Sequence, residues 1–283
     1  MPEEITFYMR AFPPVSLTGG ECNLSCSHCN GKYLQHMLPA ETPEKLFEAC
    51  RYIADKGING VVLSGGSEPD GTVPLYKFAD TIKRIKQELG LRINAHTGPL
   101  NREQSRTVVE SGVDAALVDV IGSAETIKKV YGLNFTPEDI GNTIKYLREF
   151  GIPNISPHLI VGLDYCKING EKNAIRILEN SNVDNVIVVI IIPTKGTEFE
   201  GLNPPPVEDV SSLIKELCKR MPSTNISLSC VRPGGSYRDK LDRAAVLAGV
   251  NKMAIPSKAA LDAAKELGLK IKIHKENWCC SWP

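Results

Sequence analysis

Residues 136–163 read TPEDIGNTIKYLREFGIPNISPHLIVGL, and the order of features in this stretch decides the fold. Thr136 offers a hydroxyl cap, Pro137 stands where a first-turn proline loses no hydrogen bond, and Glu138 sets an acid near the positive end of the helix dipole. Pro137 to Phe150 carries apolar residues at helical spacing, and Gly151 follows where a left-handed closing residue belongs. Ile155 to Val161 is then a short apolar run of strand length. A charged helix feeding at once into a buried strand is the repeating piece of a parallel α/β architecture.

The same piece recurs outward in both directions. Apolar β-rich runs fall at Val15 to Thr18, Gly60 to Ser64, Arg92 to His96, Ala115 to Val120, Ile155 to Val161, Asn185 to Ile192, Ile226 to Cys230 and Asn251 to Ile255. Helical segments separate them at Pro43 to Lys56, Leu75 to Leu89, Arg102 to Ser111, Pro137 to Phe150, Gly170 to Asn180, Val207 to Arg220, Asp239 to Ala248 and Lys258 to Leu267. Eight strands alternating with eight helices predict a (β/α)8 barrel of the TIM type over residues 1–268, with a short cysteine-containing tail at 269–283.

Composition agrees. The 283 residues suit one barrel, and 42% hydrophobic with 23% charged residues gives a chain that buries a core rather than staying disordered. Thirty-three basic residues balance thirty-three acidic ones, which leaves no electrostatic footprint for nucleic acid or an anionic membrane. The longest apolar run, Val186 to Pro193, falls far short of the roughly 20 residues of a membrane span. Met1-Pro2-Glu3-Glu4 is acidic where a signal peptide is basic, so a cytoplasmic protein is expected. Nine cysteines, an odd number, in a reducing compartment point to metal binding or chemistry rather than disulfides.

Three of them stand at Cys22, Cys26 and Cys29, a C-x3-C-x2-C spacing in a polar loop after the first predicted strand. Three soft ligands so close in sequence can converge on one metal centre. Zinc would want a fourth ligand, such as His28 or His36, whereas an iron–sulfur cube on three thiolates leaves one iron open. Spacing alone does not separate the two.

This loop resembles the cluster loop of radical S-adenosylmethionine enzymes, whose signature has the same spacing. The resemblance implies that Cys22, Cys26 and Cys29 hold a [4Fe-4S] cluster whose fourth iron chelates S-adenosyl-L-methionine, and that one electron then releases methionine and a 5′-deoxyadenosyl radical. The family often carries an aromatic residue before the third cysteine; here it is His28. Ser64-Gly65-Gly66-Ser67-Glu68-Pro69 resembles the family's GGE(P) loop with Ser67 inserted, which implies that Gly65, Gly66 and Glu68 help seat S-adenosylmethionine. Asp119, and beside it Asp164, are candidates for the ribose hydroxyls. His96 and His158, near the ends of predicted strands, suit contact with a substrate as well as they suit a satisfied core.

Later segments are similar to biotin synthase and its relatives: Ile160-Val161-Gly162-Leu163, Lys195-Gly196-Thr197 and Ala248-Gly249-Val250-Asn251. In Ile226 to Arg232, Arg232 takes the place of an arginine that in biotin synthase reaches an auxiliary cluster, which makes it a candidate cofactor-binding residue. No cysteine occurs at Asn94 to His96, Val118 to Val120 or Ser156, so a biotin-type [2Fe-2S] site is absent. Thiols stand instead at Cys230 after the seventh run and at Cys279 and Cys280 in the tail, with Cys166 beyond the fifth. Residues 269–278, extended, span about 33 Å, enough to bring the tail from the bottom of the barrel to its catalytic face. Cys230, Cys279 and Cys280 are therefore expected to hold an auxiliary [4Fe-4S] cluster, with Cys166 a candidate fourth ligand.

The whole chain looks most like the biotin-synthase-like proteins that act in pairs as a two-component lipoyl synthase. That resemblance implies sulfur insertion from the auxiliary cluster into an octanoyl chain on a lipoyl carrier protein. It also implies a second radical S-adenosylmethionine subunit and an electron donor such as a ferredoxin, with neither nucleic acid nor membrane as partner. Two other readings stay open: a mutase or cofactor-maturation enzyme with a single [4Fe-4S] cluster, and a zinc-stabilised binding module without turnover.

Overall fold

A computed structural model describes residues 2–282. Strand one is broken into β1 (Glu4–Arg10) and β2 (Pro14–Ser16), with the two-residue β3 (Leu38–Pro39) beside β2. Then come β4 (Gly60–Ser64), β5 (Arg92–His96), β6 (Ala115–Leu117), β7 (Asp119–Val120), β8 (Asn154–Ile155) and β9 (His158–Val161). The last strands are β10 (Asn185–Ile190), β11 (Asn225–Leu228), β12 (Lys252–Ala254) and β13 (Lys270–Asn277). The helices are α1 (Pro43–Asp55), α2 (Ala79–Leu89), α3 (Arg102–Glu110), the single turn α4 (Ala124–Thr126), α5 (Pro137–Glu149), α6 (Glu171–Glu179), α7 (Val207–Arg220), α8 (Gly235–Ala248) and α9 (Lys258–Glu266).

All strand pairs are parallel and form two sheets, in the orders β13-β1-β12-β11-β10-β9-β7 and β3-β2-β4-β5-β6-β8. Strands one, four and five each give one segment to either sheet, so the TIM-type barrel has an interrupted ladder rather than one closed sheet. The opening stretch becomes α5 and the β8–β9 strand: the Thr136 hydroxyl accepts from the Asp139 N–H, and the Asp139 carboxylate returns the bond to the Thr136 N–H. All eight expected runs are strands. Among the described residues, no helix is long and apolar enough to cross a membrane.

Besides the short β3 and α4, two longer elements escape the sequence reading, β1 and β13. β13 reads KIKIHKEN and is mostly exposed, so nothing in its composition marks it as buried. It holds by pairing with β1 from Glu4↔Lys270 to Arg10↔Asn277, and Lys272 pairs with Glu4 at 2.6 Å. Lysines suit such an edge, since they discourage further strand addition. Most of the stretch expected to run extended, Lys270–Asn277, is thus a strand on the barrel wall.

Side chains from alternate strand positions build two apolar regions. Val186, Val188 and Ile190 of β10 join the large cluster under the helices, while Ile187 faces inward with Tyr8, Ala254 and Cys280. Arg232 ties the ends of β11 and β12 to α8. Its guanidinium pairs with Asp242 through Nε at 2.6 Å and Nη2 at 2.9 Å, and also donates to the Ser229, Ala254 and Ile255 carbonyls. All five donors are spent on protein and both side chains are wholly buried, so Arg232 does not bind a cofactor as the resemblance implied; it is a structural tie.

Removing one partner of such a pair leaves a buried charge unmatched. Asp242→Ala should cost about 3–5 kcal/mol in a urea unfolding series. A loss below about 1 kcal/mol, the level of an exposed pair, would contradict the buried tie.

Candidate active site

The cysteine loop lies between β2 and a 3-10 turn at Lys32–His36. The Cys29 and Asn30 N–H groups both donate to the Cys26 carbonyl, at 3.2 and 2.9 Å, and Asn30 and Gly31 take positive φ. This tight turn brings Cys26, His28 and Cys29 together, with one ligand atom of each within 4.8 Å of the others. Cys22 stands at the loop's other end, where its Sγ accepts N–H groups from Leu24 at 3.4 Å and Ser67 at 3.3 Å.

The glycine loop after β4 is fastened to this one. Gly66 N–H donates to Thr18 Oγ1 at 2.7 Å, and Asn23 N–H donates to the Ser67 carbonyl at 3.0 Å. A Cβ on Gly66 would sit 2.0 Å from the Glu21 carbonyl oxygen and 2.6 Å from Cys22 Cα. The absence of a side chain at Gly66 is therefore what lets the two loops touch. Gly65 is less constrained, its virtual Cβ meeting Thr18 Oγ1 at 3.2 Å. Gly66 and Glu68, with Thr18, Cys22, Asn23 and Lys77, line a groove of about 1030 Å³, and Lys77 Nζ holds Glu68 at 2.7 Å.

The donor chemistry fits a cluster. The hydrogen bond from Cys26, helped by His28, pulls the Cys29 thiol down to about 4 against the effect of burial, while Cys26 is pushed up as the proton-bearing partner. Thiolate character is what iron requires. His28 Nδ1 is buried without a hydrogen-bond partner, and its ring is walled edge-on by Tyr131 at 5.3 Å and Phe199 at 6.3 Å.

Further into the barrel, His158 Nδ1 lies 3.1 Å from Asp119 Oδ1, and the His96 ring stands edge-on to His158 at 5.0 Å. Burial and then the neighbouring His158 hold His96 down to about 4, a neutral imidazole. Burial works to raise the Asp119 carboxyl, yet the His158 hydrogen bond and the two imidazoles outweigh it and keep Asp119 below its ordinary value. Asp119, expected at a ribose, is thus turned toward His158; Asp164 is engaged by Lys129 at 2.9 Å.

The tail completes the site from the opposite side. Trp278 N–H donates to the Arg10 carbonyl at 3.0 Å, after which the chain turns into the barrel. Asn94 Nδ2 donates to Ser281 Oγ at 2.8 Å, while Asn154 Nδ2 and Ser156 Oγ donate to the Ser281 carbonyl at 2.6 and 2.5 Å. Ser227 Oγ and Asn185 Nδ2 donate to the Cys280 carbonyl at 3.1 and 3.3 Å, and Lys252 Nζ donates to the Trp282 carbonyl at 2.5 Å. Arg92 lies over the rings of Trp278 at 4.2 Å and Trp282 at 5.3 Å.

Cys280 is consequently buried among Tyr8, Ile187 and Ala254, with Cys230 and Trp278 packed on it. A hydrogen bond from Cys280, then Ser281, pulls Cys279 down to about 6 despite burial, and Cys280 rises in return. Cys230 packs on the inner cluster that holds Cys280 and lies near enough to Cys279 for their charges to interact. Cys166 is not among them: it packs in the large outer core, beyond the turn at Gly162. Sequence reasoning missed the polar belt. Its signal was present as Asn94, Asn185, Ser227 and Lys252, lone polar residues at inward positions of apolar strands.

Residues 16–165 match the family model of the radical SAM superfamily. The chain belongs to that superfamily. Membership sets aside the zinc-stabilised module. A biotin synthase from Alkaliphilus metalliredigens is 24% identical over 237 residues, 82% of this chain and 72% of that protein. A 7,8-didemethyl-8-hydroxy-5-deazariboflavin synthase from Halobacterium salinarum is 24% identical over 226 residues, 74% of this chain, and the chain spans about 60% of that relative's length. A methylornithine synthase structure superposes with a TM-score of 0.66 at 18% identity, covering 95% of this chain and 84% of that one, a likeness of fold alone.

Gly66→Ala should cut both radical-cluster iron and 5′-deoxyadenosine formation by about tenfold or more, the equivalent of ~1.4 kcal/mol. Iron analysis and product chromatography after anaerobic reconstitution read both. Full iron with full product in the variant would contradict the contact between the loops.

Proposed function

We propose that this superfamily member inserts sulfur into an unactivated carbon of an octanoyl chain held on a carrier-protein lysine, in the manner of a lipoyl synthase. The observation that carries the reading is the C-terminal tail inside the barrel, with Cys280 buried in the inner cluster on which Cys230 packs and Cys279 beside it. Cys26 and Cys29, which the structure brings together, and Cys22 at the loop's other end beside the groove would hold the radical-generating [4Fe-4S] cluster, with Gly66 and Glu68 beside S-adenosylmethionine in that groove. Bound there, cluster and cofactor supply a 5′-deoxyadenosyl radical, and an auxiliary [4Fe-4S] cluster on Cys230, Cys279 and Cys280 supplies sulfide.

This chain's own residues do the rest. The belt of Asn94, Asn154, Ser156, Asn185, Ser227 and Lys252 fixes the tail backbone and with it the position of the two adjacent thiols. Aromatic rings of Tyr33, Tyr131 and Phe199 wall the cysteine loop around His28. An octanoylated lipoyl carrier protein, a second radical subunit and a ferredoxin-type electron donor complete the proposal, in a reducing cytoplasmic setting. The biotin synthase relatives support sulfur chemistry, while the deazaflavin synthase relative favours a second reading, a single-cluster enzyme of cofactor synthesis.

Iron content separates the two. Anaerobic reconstitution should give about eight iron and eight sulfide per chain, as two cubanes require, and the Cys279→Ala, Cys280→Ala double variant about four. Incubation with reductant, S-adenosylmethionine and octanoylated carrier peptide should add sulfur by mass spectrometry. Four iron in the unaltered protein, with 5′-deoxyadenosine but no sulfur gained, would establish the single-cluster reading instead.

A further inference from the structure

We propose that His96, Asp119 and His158 form a mononuclear site for a divalent transition-metal ion inside the barrel, separate from both groups of cysteines. The three come from the third, fourth and fifth strands of the barrel, on β5, β7 and β9. One ligand atom of each lies within 4.8 Å of the other two, and the His158–Asp119 separation is 3.1 Å. Donors that sit about 2.0–2.2 Å from one ion stand roughly 3–3.5 Å apart, so the cluster is within a small side-chain adjustment of a coordination shell.

An ordinary histidine–aspartate hydrogen bond accounts for two of the three residues only. His96 is brought edge-on to His158 at 5.0 Å, and among the described residues no side-chain hydrogen bond engages its ring. A second imidazole beside a carboxylate already hydrogen-bonded to His158 makes no hydrogen bond of its own there, and barrel interiors are ordinarily filled by branched apolar side chains at such positions. A metal ion would satisfy all three at once. Two imidazoles and one carboxylate are a borderline donor set, suited to Zn²⁺ or Fe²⁺ and unlike the all-thiolate cysteine sites, and three protein ligands leave positions open to a ligating group of a substrate.

The inference is independent of the sulfur-insertion reading, and its test leaves the clusters in place. Full-length protein, reconstituted anaerobically with iron and sulfide, is incubated with one equivalent of ZnCl₂, desalted and assayed for both metals. The unaltered protein should retain about one zinc per chain, whose X-ray absorption shows nitrogen and oxygen neighbours at about 2.0–2.1 Å. The His96→Ala, His158→Ala double variant should retain at least about tenfold less zinc, with iron content and far-UV circular dichroism unchanged. If that variant loses iron or folded structure, the isosteric Asp119→Asn decides, and should also lower retention. Zinc retained equally by the variants, no zinc retained by the unaltered protein, or a sulfur shell at about 2.3 Å would each overturn the site.

Discussion

The structure depends on a single constraint: the backbone carbonyls of Cys280 and Ser281 are buried inside the barrel, that of Trp282 is half-buried beside them, and all three must find donors there. A buried carbonyl left unpaired costs about 1–3 kcal/mol, so a chain end can enter a barrel only if the interior is polar at that level. Asn94, Asn154, Ser156, Asn185, Ser227 and Lys252 make it so. Asn154, Asn185 and Lys252 are each the first residue of their strand, which places the belt at the amino-terminal end of the barrel. The tail is thereby a floor, with its thiols carried on a fixed backbone.

His96, Asp119 and His158 lie between this floor and the cysteine loop, with Asp119 within electrostatic reach of His28 and His158 within that of Cys279. The two ends are built by different means. The loop's shape is local, set by the turn at Asn30 and Gly31 and by the missing Cβ of Gly66. The floor is global, drawing on five barrel strands and on the pairing of β13 with β1. In both, one cysteine of a hydrogen-bonded pair carries the thiolate character, Cys29 in the loop and Cys279 in the tail.

Much of this was legible in the sequence because it is periodic or compact. Caps such as Thr136-Pro137, strand-length apolar runs and the C-x3-C-x2-C spacing are short-range signals, and they located the barrel and the loop. What depended on three-dimensional register was not legible. Arg232 sat in a recognisable motif, yet ten residues on, Asp242 claims it. Asp119 was expected at a ribose, but its partner is a histidine 39 positions away. Reach alone allowed the tail into the barrel, but the expectation took it to the catalytic face, whereas its anchors Asn154, Asn185 and Lys252 lie at the amino-terminal end. KIKIHKEN looks like solvated chain until β1 offers an edge, and the inward polar residues explain themselves only once Ser281 is among them.

Amide hydrogen exchange of the reconstituted protein, read over residues 278–282, tests the central placement most directly. A tail that floors the barrel should show protection at these amides comparable to the core strands β10 and β11, and Asn154→Ala with Ser156→Ala should abolish it. Exchange at free-chain rates in the unaltered protein would put the tail outside the barrel and take Cys279 and Cys280 away from Cys230.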